Sequence, residues 1–220
     1  MPVVVITGAS RGIGKAIAEV FARESWSVIA PARAELDLSD PASIRAWCAG
    51  PGSGQGPIDA LVHSAGINRP LPVRDIPDEV WAETFQINLN ALRLLLQGLG
   101  TRLDGGRILA LGSIFGLVSR PGRGAYAASK AALSGFIRTL AVEEGPKGTL
   151  ANVLCPGYVD TDLTRSNNTP EQIASLCQTI PLRRLAKPEE IAHLAHWLCS
   201  EQNSYITGQS IVCDGGFTSL

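Results

Sequence analysis

Long apolar runs are missing from this chain. No stretch approaches the ~20 consecutive apolar residues that a membrane-spanning helix needs. The first apolar run passes straight into glycines, so neither a membrane span nor a signal peptide is expected. An excess of one charge is missing too. The 19 Lys and Arg are scattered against 20 Asp and Glu, for a formal net charge of −1. That balance gives no electrostatic reason to expect nucleic acid or an anionic membrane as partner. The five cysteines (48, 155, 177, 199 and 213) form no C-x-x-C pair and no metal-ligand spacing. They read as small buried side chains in a reducing compartment, with no metal site. With no low-complexity linker and no internal repeat, a single soluble, cytoplasmic domain spanning 1–220 is expected.

What is present is an alternation. Residues 2–7 are a β-branched apolar run, followed by a glycine-rich turn and then apolar residues at helical spacing over 15–24. Further strands are expected at 27–30, 58–63, 107–111, 150–155 and 210–213. Asp78 reads as the cap of a long helix reaching about residue 101, with Val80, Trp81, Phe85, Leu89 and Leu92 inward. Another helix is expected over 126–144. Thr169-Pro170 and Lys187-Pro188 each open a further helix, the second with Ile191, Leu194, Ala195 and Leu198 as its inner face. Strands that alternate with helices predict an α/β fold, a doubly wound Rossmann domain with a mostly parallel sheet. One place breaks the rhythm. Six residues separate Ala30 from Asp37, whereas a parallel crossover takes about a dozen or more. The reading is a seven-stranded sheet in which the helix between strands 2 and 3 is missing, 35–38 is a vestigial third strand, and a sheet flank is exposed.

Gly8-x-x-x-Gly12-x-Gly14 links the first strand to the first helix. Glycines there let backbone approach a pyrophosphate, and the helix N-terminus offers unpaired N–H groups and a positive dipole end. A carboxylate at the end of the second strand would bind free ribose hydroxyls; a cation would suit a 2′-phosphate. The sequence there is Ala30-Pro-Ala-Arg33, and Arg11 lies in the turn itself, which favours NADP over NAD. The alternative is that both arginines are only solvated.

Tyr126 and Lys130 stand four apart in an Ala-rich run, so a helix puts them on one face. A neighbouring ammonium is expected to lower the phenol from its usual pKa of ~10 toward the range useful for acid–base work. Ser113 ends the apolar run before it, where a strand would deliver a hydroxyl to the sheet edge. The same spacing also describes many packed aromatics beside solvated cations.

Together these segments resemble the short-chain dehydrogenase/reductase family. Thr7-Gly-Ala-Ser-Arg-Gly-Ile-Gly14 is similar to its cofactor motif, Ser113 with Tyr126-x-x-x-Lys130 to its active site, and Asn88 to its fourth catalytic position. Pro156-Gly157 followed by Thr161 is similar to the loop at the nicotinamide end. Residues 180–191, and the tail from Tyr205 to Phe217, resemble the 3-oxoacyl-[acyl-carrier-protein] reductase branch. The resemblance implies that Tyr126 gives a proton to a carbonyl oxygen while NADPH supplies hydride, with Ser113 orienting that oxygen. It implies that Lys130 holds the ribose and keeps the phenol acidic, and that Asn88 anchors a water leading to solvent. It also implies cofactor contacts from Gly8, Ser10, Arg11, Gly12, Ile13, Gly14, Asp37, Leu38, Ala65, Gly66, Pro156, Gly157, Val159 and Thr161, with Arg33 added by the phosphate argument above. Asp37 reads equally as a turn carboxylate.

One departure stands out. The family's Asn-Asn-Ala-Gly is His63-Ser64-Ala65-Gly66 here, and a hydrogen-bonded strand-end histidine is expected rather than a catalytic base. The substrate walls are expected from 114–124 and 158–180, with Phe115, Leu117, Tyr158 and Leu163 apolar, and Arg120 and Arg123 either facing an acidic substrate or solvated. The leading function is NADPH-dependent reduction of a ketone or 3-oxoacyl carbonyl. Alternatives are NAD-dependent oxidation of a secondary alcohol, or a nucleotide-sensing protein without turnover. A small-molecule carbonyl or alcohol substrate and a homo-oligomer, tetramer or dimer, are the expected partners. Leu133, Phe136 and Leu140 are compatible with an interface but equally with core.

Overall fold

Val4, Val5 and Ile6 in the first strand, β1 (Val3–Thr7), have no exposed surface, as an apolar β-branched run covered on both faces requires. In the computed structural model, which describes residues 1–166 and 168–219 without the side chains of Pro51 and Leu163, β1 leads into α1 (Gly12–Arg23) and β2 (Ser27–Ile29). Then follow α2 (Pro41–Ala49), β3 (Ala60–His63) and α3 (Asp78–Phe85). A π-helical turn (Gln86–Asn90) joins α3 to α4 (Ala91–Leu99). After β4 (Arg107–Leu111) come α5 (Gly124–Glu144), β5 (Leu150–Pro156), α6 (Asp162–Ser166), α7 (Pro170–Thr179), α8 (Pro188–Cys199) and β6 (Ser210–Cys213). The sheet has the order β2-β1-β3-β4-β5-β6, and every pairing is parallel.

Side chains alternate across this sheet with the period of two that a strand imposes. Val5, Leu61, Ile108 and Val153 face α2, α4 and α5. Val4, Ile6, Val62 and Leu109 face α1 and α8, where Ile17, Phe21, Ile191 and Ala195 are fully buried. Leu133 is likewise buried in its own chain's core, and Phe136 and Leu140 pack against that core while keeping part of their surface exposed.

The fold class stands, with six strands in place of seven. Residues 35–38 do not extend. The Glu35 carboxylate accepts from the Ala32 amide (2.8 Å), and the Asp37 carboxylate accepts from the Ser39 amide (2.9 Å) and hydroxyl (2.6 Å). These bonds turn the chain, and Leu36 goes into the core. The chain then enters α2, which the sequence reading passed over although its cap is explicit: Asp40 accepts from the Ala42 amide at 2.8 Å, and Pro41 opens the helix. Asp78 is not the cap of the long helix either. It is the first residue of α3, Pro77 precedes it, and no side chain caps that end. Trp81, expected inward, is 44% exposed and stacks on Phe85.

Candidate active site

Between β1 and β3 the chain direction switches: β1 leads to α1 on one face, and β3 leads toward α3 and α4 on the other. A crevice opens at the carboxyl ends of such neighbours. Here it is a cleft of 380 Å³. The glycine turn forms its floor. Gly8 (φ +74°) and Gly12 (φ +56°) occupy the left-handed region, and a Cβ at Gly8 would come 2.7 Å from the Ala65 backbone. A Cβ at Gly14 would collide with the Gly8 carbonyl oxygen. No side chain caps α1, so its first-turn amides, at Gly12, Ile13 and Gly14, are left for whatever the cleft holds. Ser10 and Arg11 lie on the same floor.

Ala65 and Gly66 form the opposite wall, and Pro156 and Thr161 line the end beyond them. Arg33, Asp37 and Leu38 line the other end. Arg33 is 79% exposed and faces the Asp37 carboxylate at 3.4 Å. Asp37 is mainly a turn carboxylate, held below its usual range first by the Ser39 hydroxyl and amide and then by Arg33. Gly157 and Val159 do not line the cleft. A Cβ at Gly157 would meet Asp214 at 2.7 Å, and Val159 is packed in the core under α1 and α8.

Tyr126 and Lys130 reach the cleft from one face of α5, one turn apart. The ammonium lies 5.8 Å from the phenol ring centre and donates to the Leu111 carbonyl at 2.6 Å. Lys130 is 3% exposed and forms no ion pair among the described residues, and burial lowers its pKa to about 8. The expected acidification of Tyr126 by Lys130 is not found. Burial raises the phenol above 10, while its hydrogen bond with Ser113 and the Arg123 charge pull the other way. Ser113, buried at the end of β4, accepts from the Phe115 amide at 3.1 Å, which leaves its own proton to donate.

Asn88 sits in the π-helical turn, where the widened backbone directs its amide inward. It accepts from the Ile67 amide (2.8 Å) and donates to the Ile67 carbonyl (3.0 Å) and the Ser129 hydroxyl (3.0 Å). Ser129 in turn donates to the Tyr126 carbonyl at 2.8 Å, so Asn88 ties the cleft wall to α5. The same turn releases the Ile87 carbonyl, which accepts from His63 Nε2 at 3.1 Å. Nδ1 therefore accepts from the Thr7 hydroxyl at 2.9 Å. His63 is fully buried, its pKa falls to about 3, and it joins β1, β3 and the turn as a neutral strand-end residue.

Beyond Tyr126 the rings of Phe115, Tyr158 and Phe217 form a chain of edge-on contacts, at 6.5, 6.1 and 5.4 Å between successive centroids starting from Tyr126. The sequence places Phe217 only in a tail motif; the approach of the chain end to Tyr158 brings its ring here. Leu117 is half exposed. The Leu163 side chain, expected in this wall, lies outside the described residues.

A family model described as enoyl-(acyl carrier protein) reductase matches residues 28–218. The chain belongs to the short-chain dehydrogenase/reductase family. Among the family's members, the 3-oxoacyl-[acyl-carrier-protein] reductase of Vibrio cholerae is 34% identical over 236 aligned positions, covering 97% of this chain and 96% of that one. The solved structure of a 4-hydroxyisoleucine dehydrogenase complexed with NADH superposes with a TM-score of 0.94 at 28% identity, covering all of both chains. A short chain dehydrogenase family protein from Francisella tularensis gives 0.93 at 28%, again over both whole chains. As a short-chain dehydrogenase/reductase, the chain is an oxidoreductase. Among the described residues no helix is long and apolar enough to cross a membrane, and no group of three or more His, Cys, Asp or Glu is placed to hold a metal.

Proposed function

We propose that this protein reduces a ketone or 3-oxoacyl-type carbonyl to a secondary alcohol with NADPH, working as one unit over 1–220 with 158–180 as its substrate loop. The observation that carries the reading is the meeting of Tyr126, Lys130 and Ser113 at the end of a cleft whose floor is an uncapped helix N-terminus. A dinucleotide fits the donors present: α1 amides for the pyrophosphate, and a buried Lys130 with one acceptor, Leu111, and protons to spare for a ribose. When bound, the cofactor supplies hydride. The Ser113 hydroxyl donates to the carbonyl oxygen, in the manner of an oxyanion hole. Tyr126 gives that oxygen its proton. Lys130 stabilises the phenolate left behind. A Cβ at Gly66 would crowd both Asn88 Oδ1 and Lys130 Nζ at 3.3 Å, so glycine lets the chain pass close to the lysine, and a water held on Asn88 carries the replacement proton. Arg11 and Arg33 at the cleft's outer end favour the 2′-phosphate of NADPH. We place the protein in the cytoplasm, as a homotetramer or dimer.

The test is an NADPH-depletion screen on ketones that includes an acetoacetyl thioester, run beside Tyr126→Phe. Loss of roughly 10²–10⁴-fold in kcat with retained NADPH binding supports the assignment; wild-type rates in the variant overturn it. The same residues run in reverse would oxidise a secondary alcohol with NAD, a reading supported by the NADH-bound dehydrogenase of the same fold. Initial rates with each cofactor in each direction separate the two.

A further inference from the structure

Arg120 and Arg123 follow the Phe115 turn and converge on one ring. Their guanidinium carbons lie 5.6 and 5.5 Å from the Phe115 centroid, and Arg120 is also 5.8 Å from the Tyr158 ring. Two cations brought together beside a buried phenol repel each other and lose hydration. An anion between them would be the ordinary remedy, and among the described residues neither forms an ion pair. Arg120 donates only to the neutral Tyr158 hydroxyl, at 3.3 Å. Arg123 Nε is buried with no hydrogen-bond partner at all. Other arginines show what a satisfied guanidinium looks like here: Arg165 forks onto Asp160 with both bonds at 2.7 Å, and Arg184 onto Glu190 at 2.6 and 2.7 Å. Glu171 shares a second recess with Arg120 without pairing to it.

We infer that Arg123, assisted by Arg120, is a carboxylate-binding subsite beside Tyr126, so that the substrate is an oxo acid, or the corresponding hydroxy acid, whose free carboxylate lies a few carbons from the reacting carbon. The inference rests on the carbonyl-reductase reading and deepens it. A guanidinium matches a carboxylate with two parallel bonds, and stacking on Phe115 holds its plane. The edge of the Tyr126 ring faces the same Phe115, and the Arg123 charge acts on the phenol directly. A carboxylate seated there therefore brings the neighbouring carbonyl to the Tyr126 and Ser113 hydroxyls, and offsets the Arg123 charge, which favours the phenolate left after proton transfer and so opposes its reprotonation. Arg120, further out and bonded to Tyr158, closes the outer side.

The experiment compares kcat/KM with NADPH for 3-oxo and 4-oxo acids, their methyl esters, and an acetoacetyl thioester, in wild type, Arg123→Gln and Arg123→Lys. The expected wild-type preference for an acid over its own ester is about 30-fold, the size of a buried charge-assisted bidentate bond. In R123Q that ratio falls to near one, with R123K between. A thermal-shift measurement of each acid and ester, without turnover, gives a second readout: the acid raises Tm of wild type and not of R123Q. An ester or thioester reduced as well as or better than every acid, with R123Q affecting all equally, overturns the subsite and leaves the reductase reading intact. Absence of any carbonyl reduction overturns the reductase reading, and the subsite is then decided by whether the acids alone shift Tm through Arg123.

Discussion

The Lys130 ammonium sits 5.8 Å from the centre of the Tyr126 ring, held there by the Leu111 carbonyl and by no carboxylate. Lys130 is buried and Tyr126 half-buried, and desolvation shifts each toward its neutral form: the lysine down to about 8 and the phenol up from 10. Keeping the lysine charged in this setting costs the protein stability.

That cost sets a pH dependence. An unfolded lysine keeps its proton up to about 10.5, whereas folded Lys130 gives it up near 8. Between these values the unfolded state binds more protons, so stability rises with pH through this window and is reduced below it. Lys130→Met is expected to stabilise the ligand-free protein at pH 7 by up to about 3 kcal/mol and to flatten the rise. Chemical denaturation at pH 7, 8, 9 and 10 checks both, and turnover by the same variant should be lost.

Tyr126 must donate a proton in reduction and accept one in oxidation. With its pKa raised above 10 by burial, the phenol is protonated throughout the neutral range. Alcohol oxidation is then expected to climb from pH 7 toward pH 10, while carbonyl reduction stays flat up to about pH 8 and falls beyond it as Lys130 loses the charge that stabilises the phenolate. A pH–rate profile in each direction is the measurement, and an oxidation optimum near 7 would show that the bound cofactor lowers the phenol by several decades.

His63 carries an acid sensitivity that the family's usual asparagine would not. Its folded pKa of about 3 lies below the 6.5 of the unfolded ring. As pH falls from 6.5 toward 3 the unfolded state gains a proton that the folded state refuses, and stability falls. His63→Asn keeps a donor and an acceptor between Thr7 and Ile87 and titrates nowhere in this range. The variant should lose markedly less stability than wild type between pH 6.5 and 4, read by urea midpoints at each pH.

Arg33→Ala tests the choice of cofactor. The side chain is exposed and its one ion pair among the described residues, with Asp37, is 3.4 Å long, so its removal should not disturb the fold. Affinity for NADPH is expected to drop roughly tenfold, as for a lost exposed phosphate contact, with NADH affinity nearly unchanged. Equal effects on both cofactors would remove Arg33 from the 2′-phosphate site.

The floor of the cleft was legible because glycine spacing records backbone demands directly: Gly8, Gly12 and Gly14 each stand where a Cβ is strained or excluded. The convergence of Tyr126, Lys130 and Ser113 was legible because helical spacing and a strand end fix side-chain directions. The stretch between β2 and α2 was misread, since a turn built by Glu35 and Asp37 on nearby amides has the same apolar alternation as a short strand. The partners of His63 were hidden for another reason. They depend on a widened helical turn at Gln86–Asn90, and nothing in residue pattern distinguishes bonds that span five residues from bonds that span four.

The shortened connection after β2 also bears on how the molecule meets its own copies. With no third strand beside it, β2 is the sheet's outer rung, and it is three residues long. A foreign chain aligned there finds too few free backbone groups to zip up against. By trimming that margin rather than leaving a longer bare one, the chain gains a built-in resistance to edge-to-edge polymerisation.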